Sequence, residues 1–443
     1  MRVRKQAALL FGCLALAHAP TVHEAAARLF TIRQANVRGL PEGPSASVSA
    51  NGRYVAFVSN ARLAPTDVDD RADLYVVDLH DGSVSLETQT PGGGVALRGA
   101  SSPSISGDGR FLVYETTAFF GANALPRAVI GLRDRWRKTI DVICGADAAT
   151  VGECYAPRVS ADGRTIVFTS SATHLVPGED ANGSGADVYM FERETSTIRR
   201  VSVDSAGQQS SVGSSFAPAV SDDGRYVAFV SSAPLDLVAK PGAPSTRSVY
   251  LRDMMRGVTT RVSVAMHGAA ADGASYHAAL SGDGRLVAFT SDASNLAPRD
   301  SNNAADVFLY DRDTGATVLV SRSRSGDSAN GPSMYPAISG DGRIVSFQSD
   351  ASDLTCGRGC TPSKDDINLV ADVFVFDRAS GAIRCVSRGQ RPWMEASIGP
   401  AIDRSGSVVA FSSRHPVDAR DVNEDFDLYV RVEAATADAI SKR

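Results

Sequence analysis

Residues 281–290 read Ser-Gly-Asp-Gly-Arg-Leu-Val-Ala-Phe-Thr. Asp283-Gly284 supplies the positive φ of a tight hairpin turn, and Leu286–Thr290 is a short run of β-forming residues. Working outward, Ala279-Leu280-Ser281 reads as a short strand ahead of the turn. Residues 291–305, with Asn, Pro and Asp, read as a loop, followed by a third strand at Asp306–Asp311. A second tight turn, Asp313-Thr314-Gly315, leads to a fourth strand at Thr317–Ser321. Four antiparallel strands with no helical pattern describe one blade of a β-propeller.

A pattern that is roughly S-x-D-G-R, with an apolar run after it, recurs seven times along the 443 residues, the first copy reading S-A-N-G-R and the seventh D-R-S-G-S. Its anchors are Ser49, Ser106, Ser160, Ser221, Ser281 and Ser339, with Asp403 in the seventh place, 54 to 64 residues apart. A repeat of this period predicts a ring or solenoid of supersecondary units. The fold expected is therefore all-β, a seven-bladed propeller with four-stranded blades. The seventh unit has three strands and no final turn and strand, whereas Leu29-Phe30-Thr31-Ile32-Arg33 resembles the fourth strands of other units. The N-terminal strand is expected to complete the last blade and cover its edge.

The register carries an internal test. Arg53, Arg110, Arg164, Arg225, Arg285 and Arg343 follow the turns, and Asp78, Asp134, Glu192, Asp253, Asp311 and Asp377 end the matching third strands. Antiparallel neighbours of opposite charge predict cross-strand ion pairs. In the seventh unit both members are absent, replaced by Ser407 and Val432.

The ends read differently. Arg2, Arg4 and Lys5 precede an apolar run at residues 7–17, with Ala25-Ala26-Ala27 a cleavage site, so residues 1–27 read as a signal peptide. The propeller is assigned to residues 28–433 and a tail to 434–443. No later run is long and apolar enough for a membrane-spanning helix. Net charge is −5, and −7 once residues 1–27 are removed. That balance argues against nucleic acid as a partner. Export to the periplasm or medium permits disulfides, for which Cys144–Cys154 and Cys356–Cys360 are candidates, with Cys385 left over. A zinc site through Cys356 and Cys360 lacks a second half nearby.

The tight turns of each unit fall on one face and the long loops on the other. Loops on a rigid scaffold are where binding residues concentrate, so the long-loop face is the expected binding face. Its motif is D-x-[DN] with a further Asp downstream. It comprises Asp67, Asp69 and Asp73; Asp180, Asn182 and Asp187; Asp300, Asn302 and Asp306; Asp366, Asn368 and Asp372; and Asp421, Asn423 and Asp427. Two readings stay open: Asx-turn networks that stiffen the loops, or calcium held by hard oxygen ligands. His174, His267, His277 and His415 map to the same face, with His277 just before an innermost strand. Tyr155, Phe216, Tyr276 and Tyr335 fall at equivalent or adjacent positions near the channel mouth. These residues read as a ligand funnel or as aromatics plugging the channel.

The sequences P-A-x-S-x-D-G-R-x-x-x-F-x-S at Pro336–Ser349 and D-V-F-x-x-D-R-x-x-G at Asp372–Gly381 resemble the PD40 (WD40-like) repeat family, the type in the TolB propeller. The resemblance spans about residues 30–432 and implies a periplasmic or secreted protein-binding propeller. It departs from TolB-type proteins in two ways: the α/β domain that precedes their propeller is missing, and the count is seven blades rather than six. There is no G-x-S-x-G and no room for a hydrolase domain of the peptidase kind. The expectation is a monomeric, non-enzymatic module that binds a protein or peptide of the cell envelope through the long-loop face. The alternative is a lyase-type propeller enzyme acting on polysaccharide, or a glycan-binding protein. It requires His277 and a second histidine to meet across the channel.

Overall fold

The computed structural model describes residues 28–33, 46–68, 71–88, 96–119, 127–144, 152–235, 246–355, 370–387, 396–414, 417 and 426–433. The expected signal segment, the C-terminal tail and the Cys356–Cys360 pair lie outside them. The described residues form seven four-stranded antiparallel sheets, each a blade. Blade five comprises Ser275–Leu280, Leu286–Ser291, Asp306–Asp311 and Ala316–Leu319, from the channel outward. Its second strand is wholly buried, and its outermost strand is largely exposed. A sheet covered on both faces by neighbouring blades reads as a continuous apolar run rather than an alternating one. That is why Leu-Val-Ala-Phe and Val-Phe-Leu stand in the two middle strands.

Six blades stack an aromatic of the second strand on one of the third. In blade five Phe289 and Phe308 lie 5.8 Å apart, centroid to centroid. Blade two departs: Gly131 stands opposite Tyr114, and a Cβ there would meet the tyrosine ring at 2.7 Å. Between blades, Phe289 and Val287 of blade five pack with Tyr226, Val230 and Leu251 of blade four. The first and last blades share such a core as well, where Val55 and Phe57 join Val408, Leu428 and Val430. The ring is therefore continuous from blade seven back to blade one.

The seventh sheet draws on both ends of the chain. Ser397–Ile402, Val408–Ser413 and Asp427–Val432 supply three strands, and Arg28–Arg33 pairs antiparallel with the last, Arg28 opposite Val432 and Arg33 opposite Asp427.

The repeated motif is a turn clamp. In blade five the Ser281 hydroxyl donates to Asp283 at 2.6 Å and accepts the Leu286 N–H at 2.9 Å. The same Asp283 oxygen accepts the Arg285 N–H at 2.9 Å. In blade seven Asp403 takes the serine's place and accepts the Val408 N–H at 2.8 Å. Five of the six predicted ion pairs form at 2.7 Å: Arg53–Asp78, Arg110–Asp134, Arg225–Asp253, Arg285–Asp311 and Arg343–Asp377. The sixth does not: Arg164 turns to Glu194 at 3.4 Å, and Glu192 to Arg199 at 3.5 Å. Each aspartate also accepts N–H groups of the next turn, as Asp253 does from Met255 and Arg256. Glutamate carries its carboxylate one methylene further out and loses that anchorage.

One strand boundary is corrected. The innermost strand of blade five begins at Ser275 rather than Ala279, with a β-bulge between Tyr276 and Ala279. The extra residue interrupts the two-residue alternation of the strand, so the stretch ahead of Ala279 carries no regular strand pattern.

Candidate functional site: the mouth of the central channel

The bulge recurs around the ring. At equivalent positions of six innermost strands stand Ser102, Ala156, Ala217, His277, Tyr335 and Gly399, all left-handed, with φ between 50° and 63°. Five of the six are not glycine, and each pays about 1–2 kcal/mol for that conformation. All six lie at the end of the strand away from the S-x-D-G turn, which places them at the mouth on the long-loop face. Their geometry is held from behind. Serine hydroxyls pair the innermost and second strands just before the bulge, Ser215 with Ser231 at 2.8 Å and Ser275 with Ser291 at 2.9 Å. In blade three the Glu115 carboxylate, reaching over from blade two, accepts the Ala156 N–H at 2.5 Å and the Ser101 hydroxyl at 2.8 Å.

Two of the predicted residues meet at this mouth. The rings of His277 and Tyr335, from adjacent blades, lie 4.1 Å apart and tilted by 35°. Both line the central cavity. His277 Nδ1 is buried with no hydrogen-bond partner, and burial lowers the imidazole pKa to about 4. The ring is therefore neutral at physiological pH. Tyr155, Phe216 and Tyr276 occupy one repeat position immediately before the bulge, as predicted. They do not line the cavity. Phe216 and Tyr276 pack instead against the core between blades four and five, and Tyr276 donates its hydroxyl to Asp292.

The cavity, about 320 Å³, is walled by all seven innermost strands. Pro103, Pro218, Pro336 and Pro400 follow the bulges, with small aliphatic residues below them. Next comes a ring of small residues, Ser47, Ala219, Ala279, Ala337 and Ala401, in which blade three places Arg158. This cation was not singled out in the sequence, although the repeat reads P-A ahead of the anchoring Ser or Asp in blades four, six and seven and P-R in blade three. At the opposite end the S-x-D-G turns bond blade to blade through their backbones, as Gly107 N–H to Ala161 O at 2.8 Å and Gly282 N–H to Gly340 O at 2.9 Å. The x positions are Ala or Gly except Asp222 and Arg404. These come from blades four and seven, on opposite sides of the ring, and pair across it.

The Asp/Asn motif is engaged with its own loops. Asp187 accepts the Ser202 hydroxyl at 2.6 Å, Asp306 that of Ser321 at 2.5 Å, and Asp372 that of Ser387 at 2.5 Å. Thr88 donates to Asp73 in the same way in blade one, and Tyr75 to Asp67. Asn302 donates to Asp306 and to the Ala329 carbonyl, both at 2.8 Å. Arg200 lies 3.2 Å from Asp180, and Asn182 donates to Gly213 O at 3.1 Å. Burial raises Asp306 to about 7, against the hydrogen bonds from Ser321 and Asn302. It also raises Asp187 and Asp300. The contacts that form are those of the Asx network, tying the long loops of blades one, three, five and six to the end of the outermost strand. Asp427 is buried at the start of its strand. Asp69, Asp366, Asn368, Asp421 and Asn423 lie outside the described residues. Among the described residues no three His, Cys, Asp or Glu side chains assemble at metal-binding geometry.

His174 and His267 are exposed and do not line the cavity, and His415 lies outside the described residues. Neither His174 nor His267 supplies the second histidine of the bridge that a metal-dependent lyase reading needs. The Cys144–Cys154 disulfide forms as expected, with Cα atoms 6.2 Å apart, and Cys385 takes part in no disulfide among the described residues. No helix among the described residues is long and apolar enough to cross a membrane.

No protein-family model and no curated protein matches the sequence. Among solved structures, oligogalacturonate lyase from Vibrio parahaemolyticus superposes with a TM-score of 0.54 at 14% identity, over 92% of this chain and 96% of that one. The β-propeller domain of the Trilobed protease from Pyrococcus furiosus gives 0.52 at 12% identity, over 88% and 94%. TolB from Acinetobacter baumannii gives 0.40 at 18% identity, over 76% and 66%. At these identities the likeness speaks for the fold alone: the chain is a seven-bladed β-propeller, structurally similar to the oligogalacturonate lyase and to the propeller domain of the Trilobed protease.

Proposed function

We propose that this chain is an exported binding module, non-enzymatic, that takes a protein or peptide of the cell envelope at its long-loop face. The observation that carries the reading is the ring of left-handed residues at the channel mouth. Backbone strain of this kind persists where surrounding structure enforces it, and it concentrates at ligand sites. Here it turns His277 and Tyr335 into an open cavity, while the other face is given to repeated turn clamps. The Asx networks support the same reading, because they stiffen the loops around the mouth and so reduce the entropy lost on binding. The Cys144–Cys154 bridge supports an oxidising compartment, hence the periplasm or the medium.

The test is direct. The chain is immobilised and exposed to an envelope extract, and the retained protein is purified and titrated against it. Saturable binding that is lost on substitution of long-loop residues is the expected result. Retention of saccharide alone, or shortening of a polysaccharide by the chain, overturns the reading in favour of a glycan-directed propeller.

A further inference from the structure

The chemistry of the cavity deepens that reading and rests on it. Arg158 is a long cation standing where the neighbouring positions hold only serine or alanine. Its guanidinium donates to the Pro157 carbonyl at 2.7 Å, and among the described residues no carboxylate lies within ion-pair distance. The nearest acidic group whose charge reaches it is Glu115. One Glu115 oxygen accepts the Ala156 N–H and the other the Ser101 hydroxyl, which hold that carboxylate at the strand junction and not on Arg158. A partly buried charge with no ion-pair partner is costly, and an arginine offers a planar fork of donors matched to a carboxylate. The rest of the cavity holds no Asp, Glu, Asn or Gln. Its walls are proline, alanine and aliphatic side chains, with His277 and Tyr335 at the rim. Besides Arg158 the only polar side chains of the lining are Ser47, Ser102, His277 and Tyr335, so a sugar ring placed there would leave most of its hydroxyls unpaired. A short apolar stem ending in a carboxylate would leave no such group unpaired. The Asp222–Arg404 pair crosses the far end, so the long-loop face is the way in.

We infer that Arg158 is an anion anchor for the carboxylate of a bound peptide, either its chain terminus or an acidic side chain, inserted through the His277–Tyr335 rim. The two sources share one chemistry and are separable by probe. Four compounds are titrated by calorimetry at up to about 10 mM, enough to saturate a millimolar site: acetyl-trialanine with a free carboxylate, its C-terminal amide, acetyl-Ala-Glu-Ala-amide, and digalacturonate. Binding of the free acid and not its amide assigns the chain terminus, and binding of the glutamyl peptide assigns the side chain. In either case Arg158→Met is expected to weaken binding about tenfold or more, with Arg158→Lys intermediate. Unliganded Arg158→Met is expected to melt no lower than wild type, since it removes an uncompensated charge. Equal binding of the free acid, its amide and the glutamyl peptide by wild type, a comparison that needs no variant, overturns the inference. So does binding of digalacturonate alone, or of none of the four. If none binds while a purified envelope protein still does, the anchor fails and the wider reading stands. If a carboxylate probe binds and no protein does, the anchor stands and the protein-binding reading fails.

Discussion

The two faces of the ring are made by the same strands and obey different rules. On the tight-turn face every blade solves one problem the same way, with a serine or aspartate holding the N–H five residues on. On the long-loop face six of the seven blades share a backbone feature, the left-handed bulge, and fill it with varied residues: Ser102, Ala156, Ala217, His277, Tyr335 and Gly399. A uniform contact serves stability, because each copy is local and relieves its own turn. A uniform backbone carrying unlike side chains builds a shaped surface from equal parts, and accepts strain to do it.

The largest effect expected concerns the join of the two ends. Removing residues 28–33 uncovers the edge of Asp427–Val432, whose side chains are largely buried. The chain is expected to lose several kcal/mol of stability in urea and to associate through the open edge. An unchanged transition would show that the N-terminal strand adds nothing to blade seven.

Next come paired substitutions, one on each face. Ser281→Ala removes a buried hydroxyl that serves two hydrogen bonds and is expected to cost roughly 1–3 kcal/mol. Ala217→Gly at the mouth relieves a left-handed alanine and is expected to stabilise by up to about 1 kcal/mol, the gain being trimmed by the freer unfolded chain. Equal signs for the two would break the contrast between a relaxed face and a strained one.

Two buried groups on the loop side give opposite pH signatures. His277 has its pKa lowered to about 4 from 6.5, so the unfolded chain binds the proton first and stability falls as pH drops through that window. Asp306 has its pKa raised from 3.8 to about 7, so the folded chain holds the proton longer and stability falls as pH rises across nearly the same range. Melting His277→Gln and Asp306→Asn from pH 4 to 7 separates them. The first is expected to lose the acid-side decline and the second the decline toward neutrality.

The smallest effect lies among the surface ion pairs. Arg225→Ala breaks a pair at 2.7 Å and is expected to lower the melting temperature slightly, whereas Arg164→Ala, whose partner Glu194 is as exposed as itself, leaves it unchanged.

The fold was legible because the tight-turn face writes itself into the chain. Asp-Gly turns, the serine five residues before its N–H partner, and the arginine–aspartate register are all short-range patterns that recur. Glu192 was misread because residue type alone does not say that the partner acid must also anchor the following turn. The mouth was only partly legible. Tyr335 and His277 stood out as residues, but the bulge that aims them is a φ angle, and Ser, Ala, His and Tyr at that position share no chemistry that would announce it. Arg158 was hidden for a different reason. A single arginine in a repeat of alanines looks like surface variation until the ring is closed and its side chain is found in the channel with no carboxylate beside it. The Asp222–Arg404 contact joins residues 182 positions apart, which only the circular arrangement of blades brings together.

The central claim is that the long-loop face, and not the tight-turn face, binds the partner. The most direct test measures binding of the purified envelope protein by two variants that melt like wild type. One carries His277→Ala and Tyr335→Ala at the mouth, and the other Arg285→Ala and Asp313→Ala on the turn face. Loss of binding in the first with full binding in the second is the predicted result. Full binding by the mouth variant with loss in the turn-face variant would contradict the account.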